Sequence, residues 1–140
     1  MRRLKSDVVP ILRATARGEL ESIETPEWDA STCVGVVAAA EGYPGSPRKG
    51  DRITGLEAAD AVEGAVVFHA GTRRSRSLDG DEDVVTSGGR VLTVTAMGDS
   101  AEEARARAYE AYEHIAFDGK FCRTDIGRRR EARKQATTGA

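Results

Sequence analysis

Between Ala38 and Asp99 the chain alternates short apolar runs with glycine-rich turns, and this pattern limits its possible folds more than any other feature. The segment reads AAAEGYPGSPRKGDRITGLE, then VVFHAGTRR, then DVVTSGGRVLTVTAMGD. Short β-branched and apolar runs bounded by glycine and proline are strand signals. From Thr32 to Met97, CVGVVAAA therefore predicts a buried strand, ITGLE a short one and AVVFHA another. VVTSGGRVLTVTAM predicts a hairpin, with Gly88 and Gly89 as its two-residue turn.

Helical signals flank this β-rich stretch. Within residues 3–17, Leu4, Val8, Ile11 and Leu12 recur at helical intervals, and Gly18 supplies a stop. Pro10 lies inside that pattern and predicts a kink or a delayed start. So short a helix needs a partner surface to be stable. Residues 19–31, with Pro26 and Trp28, read as a connector. Ser100 and Glu103 form an S-x-x-E capping box before a helix expected from about Ala101 to Ala116. Ala104, Ala108, Ala111, Tyr112 and Ile115 line one face of it, and Glu102, Arg105, Arg107, Glu110 and Glu113 the other. FDGKFCRTDIG then predicts a turn and a short extended segment, and residues 131–140 have no apolar anchor and read as a disordered tail. The fold class is α+β: a mainly antiparallel sheet curled toward a barrel, packed by the second helix, with the N-terminal helix at one edge.

Composition narrows the function classes. A net charge of −2 gives no general pull toward nucleic acid or membrane surfaces, so neither is expected as a partner. Positive charge is uneven, with Arg73, Arg74 and Arg76 in one predicted loop and Arg123, Arg128, Arg129 and Arg130 near the end. The first group reads as a solvated surface balanced by the acidic stretch Asp79–Asp83; Arg123 and Arg128 are candidates for holding an anion. No apolar run approaches the roughly 20 residues that span a bilayer. Nothing resembles a secretory signal, and Cys33 and Cys122 read as reduced thiols in apolar strand-like contexts, so the expected location is cytoplasmic. His69 and His114 lack metal-ligand spacing to either cysteine, and no metal site is expected.

Glycine-rich turns suit anions because a backbone without Cβ approaches closely and successive N–H groups converge. Gly42–Gly45, Gly71–Thr72 and Ser87–Arg90 are the three candidates. Each also has a purely structural reading: GYPG as a tight turn, SGGR as a hairpin turn. In the functional reading Arg90 offers a planar donor fork for phosphate or carboxylate. His69 in VVFHAGT reads as a packed or hydrogen-bonded strand histidine rather than an acid or base.

Taken together, these words are specific. RLKSDV (Arg3–Val8), GYP (Gly42–Pro44), KGDRITGLE (Lys49–Glu57), VFHAGT (Val67–Thr72), GGRVL (Gly88–Leu92), AYE (Ala108–Glu110) and RTDIG (Arg123–Gly127) stand in order. In that order and spacing the chain resembles the C-terminal domain of glycinamide ribonucleotide synthetases (phosphoribosylamine–glycine ligases), which are ATP-grasp enzymes. The likeness runs from Arg3 to about Arg129. It departs at Pro47, in the charged Arg73–Asp83 segment and in the RRREAR ending. It implies a helix at 1–18 that ends the ATP-grasp core, a connector at 19–31 and the ligase C-terminal domain at 32–130.

The resemblance also implies an activity. The family joins glycine to 5-phosphoribosylamine through a glycyl phosphate in purine biosynthesis, using ATP and magnesium. Its nucleotide and metal ligands lie upstream, in a core ending with an N-x-RFGDPE motif that this sequence does not contain. The chain alone is expected to bind neither cofactor and to be inactive, its partners being the N-terminal and ATP-grasp domains of the same enzyme, in cis or in trans. It would wall the active site and offer anion contacts from Ser87, Gly88, Gly89 and Arg90, and from Arg123 and Asp125. One alternative is a freestanding small-ligand or protein-interaction module, which would have to cover the Leu4/Val8/Ile11/Leu12 stripe by itself. Another is an ATP-grasp ligase or carboxylase with a different substrate.

Overall fold

The computed structural model describes residues 1–76 and 82–128. Residues 77–81 of the charged Arg73–Asp83 segment, Arg129, Arg130 and the 131–140 tail lie outside the described residues.

Helix α1 runs Val8–Arg17. Pro10 falls in its first turn, where a missing N–H costs nothing, so it sets the start rather than kinking the helix. The Asp7 carboxylate accepts from the Val9 N–H at 2.9 Å and caps that start. A 3-10 turn at Leu20–Ser22 follows, and the chain returns so that the Lys5 N–H donates to the Glu27 carbonyl at 2.9 Å and the Asp29 N–H to the Arg3 carbonyl at 2.6 Å. Leu4 precedes the helix and bridges Trp28 instead of extending the helical stripe.

The body begins with β1 (Thr32–Ala39) and continues through α2 (Leu56–Asp60), β2 (Ala65–His69), β3 (Thr72–Arg76), β4 (Glu82–Thr86), β5 (Arg90–Gly98) and α3 (Ala101–His114). Strands β1, β5 and β2 form an antiparallel sheet with β5 in the centre. Its register places Val34 opposite Ala96, Val36 opposite Val94 and Ala38 opposite Leu92, with Ala65 and Val67 joining from β2. These side chains share one face because strand side chains alternate. That face is covered by α3 through Ala104, Ala108, Ala111 and Tyr112, with Ile115 just beyond the helix, all buried. Three alanines in the stripe let the helix backbone lie close to the sheet. The capping box forms as expected, with Ser100 Oγ accepting from the Glu103 N–H at 3.1 Å. The Glu103 carboxylate reaches one residue further back than the usual box, to the Asp99 N–H at 2.7 Å.

Three expectations are corrected. The predicted hairpin does not exist: β4 pairs with β3 in a separate two-stranded sheet, while β5 belongs to the central sheet. Neither Gly88 nor Gly89 has a positive φ, which a type I′ hairpin turn requires of both central residues; the glycines serve instead a corner between two sheets. Secondly, the expected ITGLE strand is reduced to isolated bridges at Arg52 and Thr54. Gly55, in a left-handed conformation at φ 78°, then starts α2. Thirdly, Arg73, Arg74 and Arg76 lie on strand β3 rather than in a loop. The sheets are antiparallel as expected, but among the described residues neither closes into a barrel.

Candidate functional site

The three glycine-rich turns singled out by sequence come together where the chain crosses between the two sheets. The Gly71 carbonyl accepts from the Ser87 N–H at 2.7 Å and the Gly88 N–H at 3.1 Å. The Gly71 N–H donates to the Arg90 carbonyl at 2.8 Å, and the Ala40 N–H to the Gly89 carbonyl at 2.9 Å. Contact is too close for side chains. A Cβ on Gly71 would stand 2.9 Å from the Gly88 Cα, and one on Gly89 would stand 2.3 Å from the Tyr43 ring. The glycines are therefore required by packing against one another and against Tyr43. Two of the N–H groups expected to cradle an anion, those of Ser87 and Gly88, are committed to the Gly71 carbonyl.

What this packing leaves open is a cleft of about 560 Å³ bordered by Val37, Tyr43, Gly71, Gly89, Arg90 and Thr93. Arg90 opens β5, and its side chain is exposed at the rim. Among the described residues no carboxylate forms an ion pair with it. Several other arginines of the body are engaged: Arg48 with Asp51 at 2.6 Å and Asp118 at 2.9 Å, Arg52 with Asp83 at 2.8 Å, and Arg107 with Glu103 at 3.0 Å. A guanidinium beside an aromatic ring, with no acid in the lining, can hold a carboxylate or a phosphoryl oxygen.

Arg123 and Asp125 do not border this cleft. They pair with each other, Arg123 Nε donating to Asp125 Oδ1 at 2.9 Å and Nη2 to Oδ2 at 2.7 Å. This two-point hydrogen bond holds the Asp125 carboxyl below the usual carboxylate range and raises the Arg123 guanidinium further. Their segment is a strap on α3. The Tyr109 hydroxyl donates to the Arg123 carbonyl at 2.6 Å, and Arg105 donates to the carbonyls of Ile126 at 3.0 Å and Thr124 at 2.9 Å. Arg128 is exposed, its N–H donating to the Asp125 carbonyl at 3.2 Å. His69 is exposed at the end of β2 and hydrogen-bonded, with Nδ1 2.9 Å from Thr72 Oγ1. Val37, Tyr43 and Thr93 were not singled out by sequence as site residues, since only the strand register brings Val37 opposite Thr93 and the turn packing brings Tyr43 to Gly89.

The cleft does not fit a magnesium nucleotide: its lining has neither a lysine nor a carboxylate to hold phosphates and metal together. Among the described residues no group of three His, Cys, Asp or Glu side chains is placed to hold a metal ion, and no helix is long and apolar enough to cross a membrane.

Comparison with known proteins gives one answer. Residues 33–129 match the family model for the phosphoribosylglycinamide synthetase C domain. The phosphoribosylamine–glycine ligase of Caulobacter vibrioides is 52% identical over 127 residues, covering 91% of this chain and 29% of that protein. That of an Escherichia coli O6:H1 strain is 50% identical over 135 residues, covering 96% of this chain and 30% of the relative. The crystal structure of the Thermotoga maritima phosphoribosylamine–glycine ligase superposes with a TM-score of 0.59 at 36% identity, over 84% of this chain and 27% of that one. The chain thus spans under a third of the length of these relatives.

Proposed function

The chain belongs to the phosphoribosylglycinamide synthetase C-domain family, and from that premise we propose that it works as the C-terminal part of a phosphoribosylamine–glycine ligase. In that reaction the glycine carboxylate takes the terminal phosphoryl group of ATP. The amine of 5-phosphoribosylamine then attacks the acyl carbon, losing a proton as phosphate leaves, to give glycinamide ribonucleotide for purine synthesis in the cytoplasm. ATP and magnesium are held by the remaining domains of the enzyme, in cis or in trans. This chain supplies one wall of the site, with Arg90 as its anion contact on the Ser87–Gly89 corner. Arg123 and Asp125 serve that wall indirectly, by pairing with each other across the turn of the RTDIG segment that Tyr109 and Arg105 strap to α3.

The observation that carries this reading is the convergence of the three turns on Arg90, a guanidinium without an ion-pair partner among the described residues. A substrate carboxylate or acyl phosphate would complete it with a charge-assisted, two-point hydrogen bond. The test is phosphate release dependent on ATP, glycine and 5-phosphoribosylamine. The chain alone should show none, and a separately produced ATP-grasp portion should restore turnover when mixed with it. Arg90→Ala should then lower kcat/KM by about 100-fold, as expected for losing a preorganised charge contact, with the melting temperature unchanged. Turnover by the isolated chain, or an Arg90→Ala enzyme that loses stability and activity in step, would overturn the assignment.

A further inference from the structure

We infer that Arg48, which does not border the Arg90 cleft, is a positioning residue for it: its guanidinium fastens the loop of residues 41–48 and so holds the Tyr43 ring against Gly89 as the cleft wall. The inference rests on the reading of that cleft as part of the ligase site.

The loop has no apolar anchor of its own. From residue 41 to residue 50 no side chain is buried. Segments with few buried apolar contacts open readily unless something else closes them. Two backbone bonds shape the loop, from the Tyr43 N–H to the Ala40 carbonyl at 3.1 Å and from the Arg48 N–H to the Glu41 carbonyl at 2.9 Å. Both lie within residues 40–48 and tie it to nothing beyond.

The Arg48 side chain supplies the outward links. Nη1 lies 3.5 Å from Glu41 Oε2, and Nη2 lies 2.6 Å from Asp51 Oδ1 and 2.9 Å from Asp118 Oδ2. One planar fork thus joins the start of the loop, its end and the turn after α3, which the point charge of a lysine cannot do at once. Each support is itself fixed. The Asp51 N–H donates to Thr86 Oγ1 at 3.1 Å, and the Thr86 N–H donates to the Asp51 carbonyl at 2.9 Å. Thr86 is fully buried at the end of β4, directly before the Ser87–Gly89 corner. On the other side, a Cβ on Gly119 would stand 2.6 Å from Glu41 Cβ, so the turn bearing Asp118 packs on the base of the loop. The Asp51 side chain is 9% exposed and that of Asp118 79%. The Asp51 arm therefore carries most of the fastening, and the Asp118 arm is screened by solvent.

The test has two arms. In NMR spectra of the 140-residue chain, nuclear Overhauser contacts between the Tyr43 ring and the Gly89 α-protons, and the ring-current displacement of those protons, read the wall without any other domain. Arg48→Gln combined with Asp51→Asn removes the fork without stranding a carboxylate and should abolish both signals. Arg48→Lys should keep them in part, and Asp118→Asn should weaken them least. The second arm is turnover with the separately produced ATP-grasp portion. There the Arg48→Gln, Asp51→Asn pair should lower kcat/KM roughly tenfold, as a displaced wall would, and Arg48→Lys should recover part of the loss. In a Tyr43→Ala background the same pair should lower kcat/KM by less than about twofold, because the group it positions is already gone. Its effect on melting temperature should persist in that background, which separates positioning from stability alone. Unchanged Gly89 signals, or a full loss of kcat/KM that persists without the Tyr43 ring, would overturn the role of Arg48. If the unaltered chain restores no turnover, the ligase reading fails, and the Gly89 signals still decide whether Arg48 holds the wall.

Discussion

In residues 32–128 a contiguous set of apolar side chains turns inward, with Val36, Val91, Leu92 and Val94 fully buried and Ile115 closing the end of α3, although Phe68 and Phe121 stay exposed. In residues 1–31 Ala14 alone is buried, while Val9 is 55% exposed, Leu12 60%, Leu20 50% and Trp28 55%. The two regions are held by different forces. The body has a contiguous core between sheet and helix, which is the dominant source of folding free energy. The N-terminal region is held by backbone bridges and surface charge: Arg3 donates to the Asp29 carbonyl at 2.9 Å, Lys5 lies 3.6 Å from Glu27, and Arg2 reaches the Gly64 carbonyl at 2.8 Å. Exposed ion pairs of this kind contribute little. The contrast teaches that the body can specify itself, whereas α1 presents an apolar surface that fits the proposed role of seating the rest of the ligase.

The largest expected effect breaks the body. Leu92→Ala should cost about 2–5 kcal/mol, the range for deleting a buried leucine. Calorimetry on this variant should show a fall in melting temperature of roughly 10 °C or more. Leu12→Ala should move it by no more than about 0.5 kcal/mol, as for other exposed positions. Comparable losses at the two sites would mean that α1 has a core of its own and would remove the contrast.

Next comes Gly89→Ala, expected to cost roughly 1–3 kcal/mol as an overpacked contact against Tyr43. Gly89→Ala combined with Tyr43→Ala should recover a large part of that loss, because the clash has then gone. A double variant no better than the single one would show that the glycine is needed for something other than the Tyr43 ring.

Smaller in stability, though not in assembly, is the double change Val9→Lys with Leu12→Lys. The chain's own melting temperature should change by less than about 0.5 kcal/mol equivalent. Binding to the separately produced ATP-grasp portion should fall by at least tenfold, measured by calorimetric titration, since two apolar side chains of this size carry about 1.5–3 kcal/mol each when buried. Unchanged binding would place the docking surface elsewhere.

The same contrast explains what could be read from sequence. The α3 face was legible residue by residue, because Ala104, Ala108, Ala111, Tyr112 and Ile115 repeat at the helical period and the sheet demands an apolar stripe. Strands β1, β2 and β5 were legible for a similar local reason. Partner choice was not. The sequence Val84–Ser87, Gly88, Gly89, Arg90–Met97 looks like a hairpin until the alternative partners are known, and β4 takes β3 instead. Strand β3, Thr-Arg-Arg-Ser-Arg, carries no apolar alternation and is defined by its pairing with β4 alone. At the site, glycines beside Arg90 were legible as a place of close approach, but what approaches them, Gly71 and Tyr43, is set by long-range packing. Arg123 was expected to reach an anion outside the chain; across its turn the anion is its own neighbour Asp125.

The smallest effect concerns two carboxylates, one at each side of the comparison. Asp29, in the N-terminal region, and Asp125, in the body, both titrate below the ordinary aspartate value of 3.8. The causes differ: hydrogen bonds from the Ser31 side chain and backbone N–H lead for Asp29, and the hydrogen-bonded Arg123 guanidinium leads for Asp125. A folded-state value below the unfolded one means that the unfolded chain binds more protons as pH falls. Both contributions are therefore complete above the ordinary value and are lost as pH drops through each depressed folded value. Arg123→Ala should return Asp125 to the ordinary range and leave Asp29 where it is, read by carboxyl-carbon NMR titration. Raising salt from about 0.05 to 1 M should raise the Asp125 value more than that of Asp29, since an exposed charge pair is screened while a neutral hydroxyl donor is not. If Asp125 keeps its low value without Arg123, the strap on α3 is organised by the backbone of residues 123–127 itself, and the two regions are alike in how they hold their acids.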